Sequence, residues 1–235
     1  MRESDTNFSE ALSDTIIGDI RETLLTWEKE HYKEFPWRVT HQQWKSLIAE
    51  ILLQRTKANN VVPVYEAFFE HFSSPEKLAQ ASEEEIEQVI YPLGLRWRAP
   101  LLKKLGAQLV QMQGELPRDL EGLLELHGVG LYVAAAWLSF HGGRRSVIID
   151  ANVVRWICRL VDRPMDGETR RKRWLIELAA KLTPENNWKE YNYAILDFSM
   201  EICTKKPQCP QCPLGPAICL YGRKQIGEKY GTERS

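Results

Sequence analysis

The stretch LELHGVGLY, residues 124–132, joins the end of one short helical pattern to the start of a long apolar one. Its two glycines indicate a tight turn, because glycine allows backbone conformations and close approaches that other residues resist. The helix predicted after Gly130 would offer free amide groups and a positive dipole end to an anion such as a phosphate. An ordinary helix–helix turn has the same pattern, so this stretch alone leaves phosphate binding open.

Helical periodicity continues on both sides of this turn. Apolar residues recur at i, i+3, i+4, i+7 and i+8 from Trp44 to Leu52, and Ile20, Leu24 and Trp27 mark an earlier helix. Only residues 146–149 have the pattern of a strand. Further helices are predicted over residues 61–72, 83–91, 98–111, 120–126, 131–140, 151–161, 173–182 and 191–203. We therefore expect an all-α protein.

The composition limits the class of protein. With 235 residues, 43% hydrophobic and 27% charged, the chain can bury a core and is neither disordered nor fibrous. Its longest uncharged stretch, residues 127–143, is shorter than the roughly 20 apolar residues that cross a bilayer. Residues 1–30 are acidic and polar, unlike a secretory signal. We expect a cytoplasmic protein, nucleoid-associated in a prokaryote, without a membrane partner.

Charge is sorted along the chain although the formal net charge is only −1. Residues 1–30 are mainly acidic, whereas residues 141–173 are mainly basic. A basic region is compatible with binding to a phosphate backbone. A solvent-exposed helix face is the simpler interpretation of the run at residues 170–173.

Four of the five cysteines occur together near the C-terminus, at Cys203, Cys209, Cys212 and Cys219. Thiolates are soft ligands that select zinc or iron–sulfur clusters, and a reducing compartment disfavours disulfides. Structural zinc usually takes two closely spaced cysteine pairs, whereas this segment contains only one. The uneven spacing favours an iron–sulfur cluster. The fifth cysteine, Cys158, lies in an apolar run and is predicted to be buried.

Asp150 ends an apolar segment and begins a helical one in SVIIDANVVR, residues 146–155. An acidic residue in this position is by default an N-cap. The same carboxylate at a cleft could stabilise positive charge on a sugar or activate water.

LHGVGLY, followed by VIIDANVVR and four clustered cysteines, resembles the endonuclease III family of helix-hairpin-helix DNA glycosylases. The resemblance extends from Phe35 to Cys219. It implies two helical domains with a DNA cleft between them: a six-helix barrel at residues 36–145, which carries the hairpin, and an iron–sulfur cluster domain formed by residues 1–35 and 146–235. The implied activity is cleavage of N-glycosidic bonds in base excision repair.

The resemblance also implies roles for individual residues. Asp150 matches the catalytic aspartate, while Gly128, Val129 and Gly130 match the hairpin that grips a phosphate. His127 stands in that hairpin where the family usually has proline. Tyr132 replaces the lysine nucleophile of lyase-competent members and would line the pocket or pack between helices. Because tyrosine forms no Schiff base, a monofunctional glycosylase that is not an efficient lyase is implied.

The target base is predicted from AEILLQRTKANNVVPVY, residues 49–65, which resembles both adenine glycosylases and G/T mismatch thymine glycosylases. Glu50 matches the acid that protonates the purine in adenine enzymes. Gln54 and Leu95 match side chains that fill the vacated base stack, and Arg55 has donors suited to the orphaned guanine. Arg55, Leu95 and the sequence DANV favour thymine or uracil opposite guanine. Adenine or a modified pyrimidine is the alternative target.

The implied partners are double-stranded DNA containing a mismatched or damaged base and a [4Fe-4S] cluster on the four clustered cysteines. Lys205 and Lys206, in the loop between two of these cysteines, are predicted to contact the DNA backbone. A monomer is expected. A non-catalytic DNA-binding module, in which Asp150 only caps a helix, is an alternative of a different functional class.

Overall fold

The computed structural model describes residues 12–231, with side chains described as far as residue 227. No strand is assigned within residues 12–231, which confirms the predicted all-α fold. The helices in this range, numbered in chain order, are α1 Asp14–His31, α2 Pro36–Val39, α3 Gln43–Leu53, α4 Ala58–His71, α5 Pro75–Gln80, α6 Glu83–Ile90, α7 Ala99–Gln111, α8 Leu120–Leu124, α9 Leu131–Phe140, α10 Ala151–Leu160, α11 Arg173–Leu182, α12 Trp188–Glu201, α13 Gly215–Ile218 and α14 Leu220–Gly231.

The chain divides into two compact units. One unit is Glu34–Ser146 and contains α2 to α9. The other joins α1 to the helices from α10 onward, so residues distant in sequence share one core. The assignment of residues 36–145 and of 1–35 with 146–235 as two functional domains stays a prediction. Residues 1–11 and 232–235 of that assignment lie outside the described residues.

The core of the unit Glu34–Ser146 is built on α3. The predicted apolar face of this helix is buried, with Leu47, Ile48 and Leu52 fully inaccessible to solvent. Trp137 of α9 packs in the same core, and its indole Nε1 donates to Ser46 Oγ at 2.9 Å. This hydrogen bond satisfies the polar atom of an otherwise apolar core side chain.

Short polar residues begin several of the remaining helices. At α6, Ser82 and Glu85 form a reciprocal capping box, in which each side chain accepts from the other residue's backbone amide. Asp119 caps α8 by accepting from Gly122 N at 2.8 Å. These contacts satisfy amide groups that have no partner within the helix.

In the second unit, α1 packs mainly against α12. Its buried residues Ile20, Leu24 and Trp27 join the core formed with α10, α11 and α12. Cys158 is buried in this core, as predicted, and burial raises the pKa of its thiol to about 11.

The strand predicted at residues 146–149 is wrong. These residues have no assigned secondary structure, and they lead into α10 without pairing to a strand elsewhere in residues 12–231. An apolar run of β-branched residues becomes a strand only when a neighbouring strand supplies hydrogen-bond partners. Within the same range, no helix is long and apolar enough to span a membrane.

Candidate functional site

The hairpin between α8 and α9 is a tight turn built around Gly128. Gly128 has φ of +81°, a left-handed conformation that side chains other than glycine rarely adopt, and Val129 N donates to Leu126 O at 3.1 Å to close the turn. Gly130 is the N-cap of α9 in an extended conformation, with φ of −100°. An added Cβ at Gly130 would meet no atom within 4 Å, so open space lies beside the first turn of α9.

Gln108 of α7 braces this hairpin. Its Oε1 accepts from His127 N at 2.8 Å, and its Nε2 donates to Glu125 O at 3.0 Å. His127 itself is exposed, whereas Val129 is buried in the core of the unit. Gln108 was not predicted as a site residue, because nothing in the sequence shows which glutamine faces a loop almost twenty residues away.

Tyr132 lies in the first turn of α9. It is half-buried and packs against the core of its unit, so part of its side chain remains accessible. Both interpretations of this residue, a pocket side chain and a helix-packing side chain, are compatible with this position.

The turn after α3 carries Gln54 and Arg55 and is held by a buried guanidinium. Arg98, 2% exposed, donates to the carbonyl oxygen of Ile51, to Gln54 O at 3.2 Å and to Gln54 Oε1 at 3.0 Å. Burial, with the nearby charge of Arg55 acting in the same direction, lowers the pKa of Arg98 to about 10. The side chain of Gln54 is therefore oriented by a residue from a different segment.

Arg55 is exposed, and its φ of +62° is a left-handed conformation that residues other than glycine adopt only at sharp turns. Leu95, predicted with Gln54 to fill a vacated base stack, is buried at 5% exposure. Insertion of Leu95 into DNA would require this side chain to leave its pocket, and its role stays a prediction.

Glu50 lies on α3 and is buried at 4% exposure. Its Oε1 lies 3.8 Å from Nε2 of His141, whose side chain is 7% exposed. Among the described residues, His141 Nε2 has no hydrogen-bond partner. Two buried ionisable groups thus face each other. No sequence pattern predicts this pair, because the two residues are far apart in the chain.

Asp150 is the N-cap of α10, as its default interpretation predicts. Oδ1 accepts from the backbone amides of Asn152 at 2.8 Å and Val153 at 2.7 Å, and Oδ2 accepts from Asn152 Nδ2 at 2.9 Å. The carboxylate is only partly buried. It is therefore rigidly held and still accessible, and these two properties are compatible with both capping and catalysis.

A chain of hydrogen bonds continues from Asp150 to the cysteine segment. Asn152 Oδ1 accepts from Arg155 Nη1 at 3.0 Å, and Arg155 Nε donates to Cys203 O at 3.0 Å. Arg155 Nη2 also donates to Ser199 O at 2.7 Å. The guanidinium thus ties the first turn of α10 to the end of α12.

The four clustered cysteines line one cavity with Trp156, Phe198 and Leu214. Burial raises the pKa of Cys219 to about 11, and the charges of the other three cysteines act in the same direction. Two donors point at sulfur: Gly222 N lies 3.4 Å from Cys219 Sγ, and Arg159 Nη1 lies 3.5 Å from Cys203 Sγ. Among the residues with described side chains, no three His, Cys, Asp or Glu are placed to hold a metal ion.

Iron–sulfur groups depend on their ligands and on the surroundings of those ligands. Such clusters take four thiolates, and hydrogen bonds to the sulfurs and exclusion of solvent tune them. The cavity supplies soft ligands, apolar walls and donors near two of the sulfurs. In donor type and surroundings the four cysteines therefore fit an iron–sulfur group.

Arg159 organises the loop that carries the two predicted DNA-binding lysines. It donates to the backbone oxygens of Thr204, at 2.5 Å, and Lys205, at 3.2 Å. Lys205 and Lys206 are exposed. Glu50, Tyr132, the hairpin and the Gln54 turn belong to the unit Glu34–Ser146, whereas Asp150, these lysines and the cysteines belong to the other unit.

Several known DNA glycosylases are similar to this chain in sequence or in fold. The chain resembles the thymine/uracil-DNA glycosylase of Pyrobaculum aerophilum, with 36% identity over 214 residues that cover 87% of this chain and 92% of the relative. A solved thermostable thymine-DNA glycosylase aligns with a TM-score of 0.80 and 32% identity, covering 90% of this chain and 98% of that one. Human adenine DNA glycosylase is 29% identical over 84% of this chain, which spans only 38% of the human protein.

A family profile matches most of the chain. Residues 48–197, which include the hairpin and Asp150, match the profile described as HhH-GPD superfamily base excision DNA repair protein. The resemblance inferred from the hairpin and aspartate motifs is thereby confirmed. The chain belongs to the HhH-GPD superfamily of base excision DNA repair proteins.

Proposed function

We propose that this chain is a monofunctional DNA N-glycosylase that removes thymine or uracil opposite guanine. The observation that carries the proposal is the geometry of Asp150, a partly accessible carboxylate fixed by three hydrogen bonds at the start of α10. The similarity to the thymine/uracil-DNA glycosylase of P. aerophilum supports the choice of base.

The chemistry needs a negative charge close to the sugar. Departure of the base leaves positive charge on the sugar, as in other glycoside cleavages, and a preorganised carboxylate stabilises that charge. Asp150 does not have to reorient during the reaction, because the amides of Asn152 and Val153 already hold its Oδ1. Water then completes the hydrolysis and an abasic site remains.

Tyr132 supports the monofunctional assignment. A lyase of this family needs an amine in this position to form a Schiff base with the opened sugar, and a phenol cannot do so. The half-buried position of Tyr132 at the first turn of α9 leaves it able to line a pocket beside the sugar or the base.

Recognition of the DNA is proposed to combine phosphate and base contacts. A base inside a duplex must be flipped out before it can react, and a mismatched base is flipped at lower cost. The exposed amide end of α9 behind Gly130 would bind a phosphate, as would Lys205 and Lys206. Arg55, exposed on a sharp turn, would reach the guanine.

The four clustered cysteines are proposed to hold a [4Fe-4S] cluster. When bound, this cluster would supply one thiolate-ligated iron–sulfur centre that cross-links the loop between α12 and α14. The chain's own contribution is to exclude solvent with Trp156 and Phe198 and to direct Gly222 N and Arg159 toward the sulfurs. Anaerobically purified protein should be brown and contain iron and sulfide; colourless protein with stoichiometric zinc would refute this assignment.

Excision of adenine is a second candidate, favoured by the buried pair of Glu50 and His141. A purine leaves more readily when it is protonated, and a carboxylic acid within a protein pocket can supply that proton. The similarity to human adenine DNA glycosylase covers most of this chain. If adenine is removed, Glu50→Gln should lose that activity.

The test is single-turnover excision on a panel of duplexes. The panel carries thymine, uracil or a modified cytosine opposite guanine, and adenine opposite guanine or 8-oxoguanine, with alkali used to reveal abasic sites. Asp150→Asn is assayed in parallel for both excision and DNA binding.

Each outcome assigns a function. Cleavage confined to thymine or uracil opposite guanine, lost in Asp150→Asn while binding persists, supports the proposal. Cleavage of adenine supports the second candidate. Binding of DNA without excision of any base on the panel would contradict both and support a DNA-binding module.

A further inference from the structure

Trp97 presents an exposed aromatic ring immediately after the turn that contains Leu95. It lies on the 3-10 helix Arg96–Arg98 and is 59% exposed, whereas Leu95, two residues earlier, is 5% exposed. A single exposed apolar side chain is common on protein surfaces and indicates nothing by itself. The charged and polar groups around Trp97 distinguish it from such an isolated side chain.

Trp97 and Gln54 contact the same buried cation. The guanidinium carbon of Arg98 lies 4.9 Å from the centre of the Trp97 ring, and Arg98 Nη2 donates to Gln54 Oε1 at 3.0 Å. The indole is therefore fixed beside the turn that carries Gln54 and Arg55, although more than forty residues separate the two segments. A cation against one face also steadies the ring without covering it.

Trp97 is accompanied by arginines and by a second aromatic ring. Arg55 and Arg96 are both exposed, and Arg96 lies 4.3 Å from the ring centre of Tyr91. Arg96 also pairs with an acidic group of α6, since its Nε lies 3.4 Å from Glu87 Oε1. Alternating arginine and aromatic side chains are typical of surfaces that bind nucleic acids, because cations bind phosphates and aromatic rings stack on bases.

We propose that Trp97 is the side chain that stacks on the bases exposed at a mismatch, the role that the family resemblance implies for Leu95. This inference rests on the proposed function, since it takes mismatched duplex DNA as the ligand. Proteins that open a base step insert an apolar wedge, and stacking requires a ring face that is available before binding. Trp97 meets this requirement as it stands, whereas Leu95 would first have to leave its pocket.

The experiment compares binding to mismatched and fully paired duplexes at one salt concentration. All variants are made in the Asp150→Asn background, so that no base is removed during the measurement. Fluorescence anisotropy gives the two dissociation constants, and 2-aminopurine placed beside a G·T mismatch reports unstacking. The variants are Trp97→Ala and Trp97→Phe, with Leu95→Ala for the competing assignment and Val39→Ala as control, since Val39 is an apolar residue 58% exposed on α2.

Trp97→Ala should weaken binding to the mismatched duplex by roughly 5- to 150-fold, the range expected for loss of one stacked base. Binding to the paired duplex should change less than about 2-fold, because the phosphate contacts remain. The 2-aminopurine signal should fall with Trp97→Ala and return with Trp97→Phe, which keeps an aromatic face. Leu95→Ala should lower the unfolding temperature but keep the ratio of the two affinities, and Val39→Ala should change neither.

The inference would be overturned if Trp97→Ala left the ratio of the two dissociation constants unchanged. It would also be overturned if only Leu95→Ala changed that ratio. Recovery in Trp97→Phe separates stacking from misfolding. The outcome is independent of the proposed reaction. A wild-type chain that excises no base but discriminates mismatches through Trp97 would refute the function alone, whereas normal excision with no effect of Trp97→Ala would refute the inference alone.

Discussion

Substitution of Asp150 distinguishes the two roles that its position allows. As an N-cap, Asp150 satisfies two backbone amides through Oδ1 and one side-chain amide through Oδ2. As a catalytic group, it must carry a negative charge. Asparagine and serine are good N-caps without charge, and alanine provides neither function.

The expected losses of stability follow from these contacts. Asp150→Ala removes the cap and should lower the free energy of unfolding by about 0.5–2 kcal/mol. Asp150→Ser can still accept from the backbone amides and should lose less. Asp150→Asn keeps an oxygen for the amides of Asn152 and Val153 but places its NH₂ against Asn152 Nδ2, which already acts as a donor. Loss of that hydrogen bond should cost about 0.5–1.5 kcal/mol.

The rate of excision should not follow the order of these losses in stability. All three variants lack the charge, so each should reduce the single-turnover rate on a G·T or G·U duplex by at least about 100-fold. Thermal unfolding provides the stability scale, since 1 kcal/mol corresponds to about 2–4 °C for a chain of this size. If Asp150→Ser or Asp150→Asn keeps excision within tenfold of wild type while Asp150→Ala does not, Asp150 acts only as a cap and the catalytic assignment is refuted.

Three further predictions concern the unit Glu34–Ser146. Gly128→Ala should lower the free energy of unfolding by about 1–2 kcal/mol, because Gly128 has φ of +81°. Gly130→Ala should change the free energy of unfolding by less than about 0.5 kcal/mol and weaken duplex binding. Thermal unfolding measures the stabilities and fluorescence anisotropy the binding, and unchanged binding in Gly130→Ala would argue against a phosphate at α9. Arg98→Met should cost about 2–4 kcal/mol, measured by urea unfolding, because Ile51 O, Gln54 O and Gln54 Oε1 each lose a hydrogen bond from a charged donor. A change below about 1 kcal/mol would contradict this role. Tyr132→Lys should form a Schiff base with substrate DNA that borohydride traps, and failure to trap in a variant that still excises would place residue 132 away from the sugar.

Much of the helical architecture could be predicted from local pattern. The apolar spacing of α3 predicts its buried face, and the glycines around residue 128 predict the tight turn found there. Both features depend on the types of residues that are close together in the sequence. The short helices α2, α5 and α13 were not predicted, because so few residues rarely show a helical period. The longer helix α14 was not predicted either, because its apolar residues do not form one face. The strand predicted at residues 146–149 failed because its pattern has no partner strand in the described residues.

The sequence by itself determined which residue types are available for the chemistry: Asp150 at the start of a helix, a tyrosine in place of an amine, and four thiols within one short segment. Tertiary structure decided which of them are exposed, buried or held in place. Arg98 reaches the turn at Gln54, Glu50 faces His141, and Leu95 is buried while Trp97 is not. These facts depend on packing between segments distant in the chain, and sequence periodicity reports only contacts along a single helix.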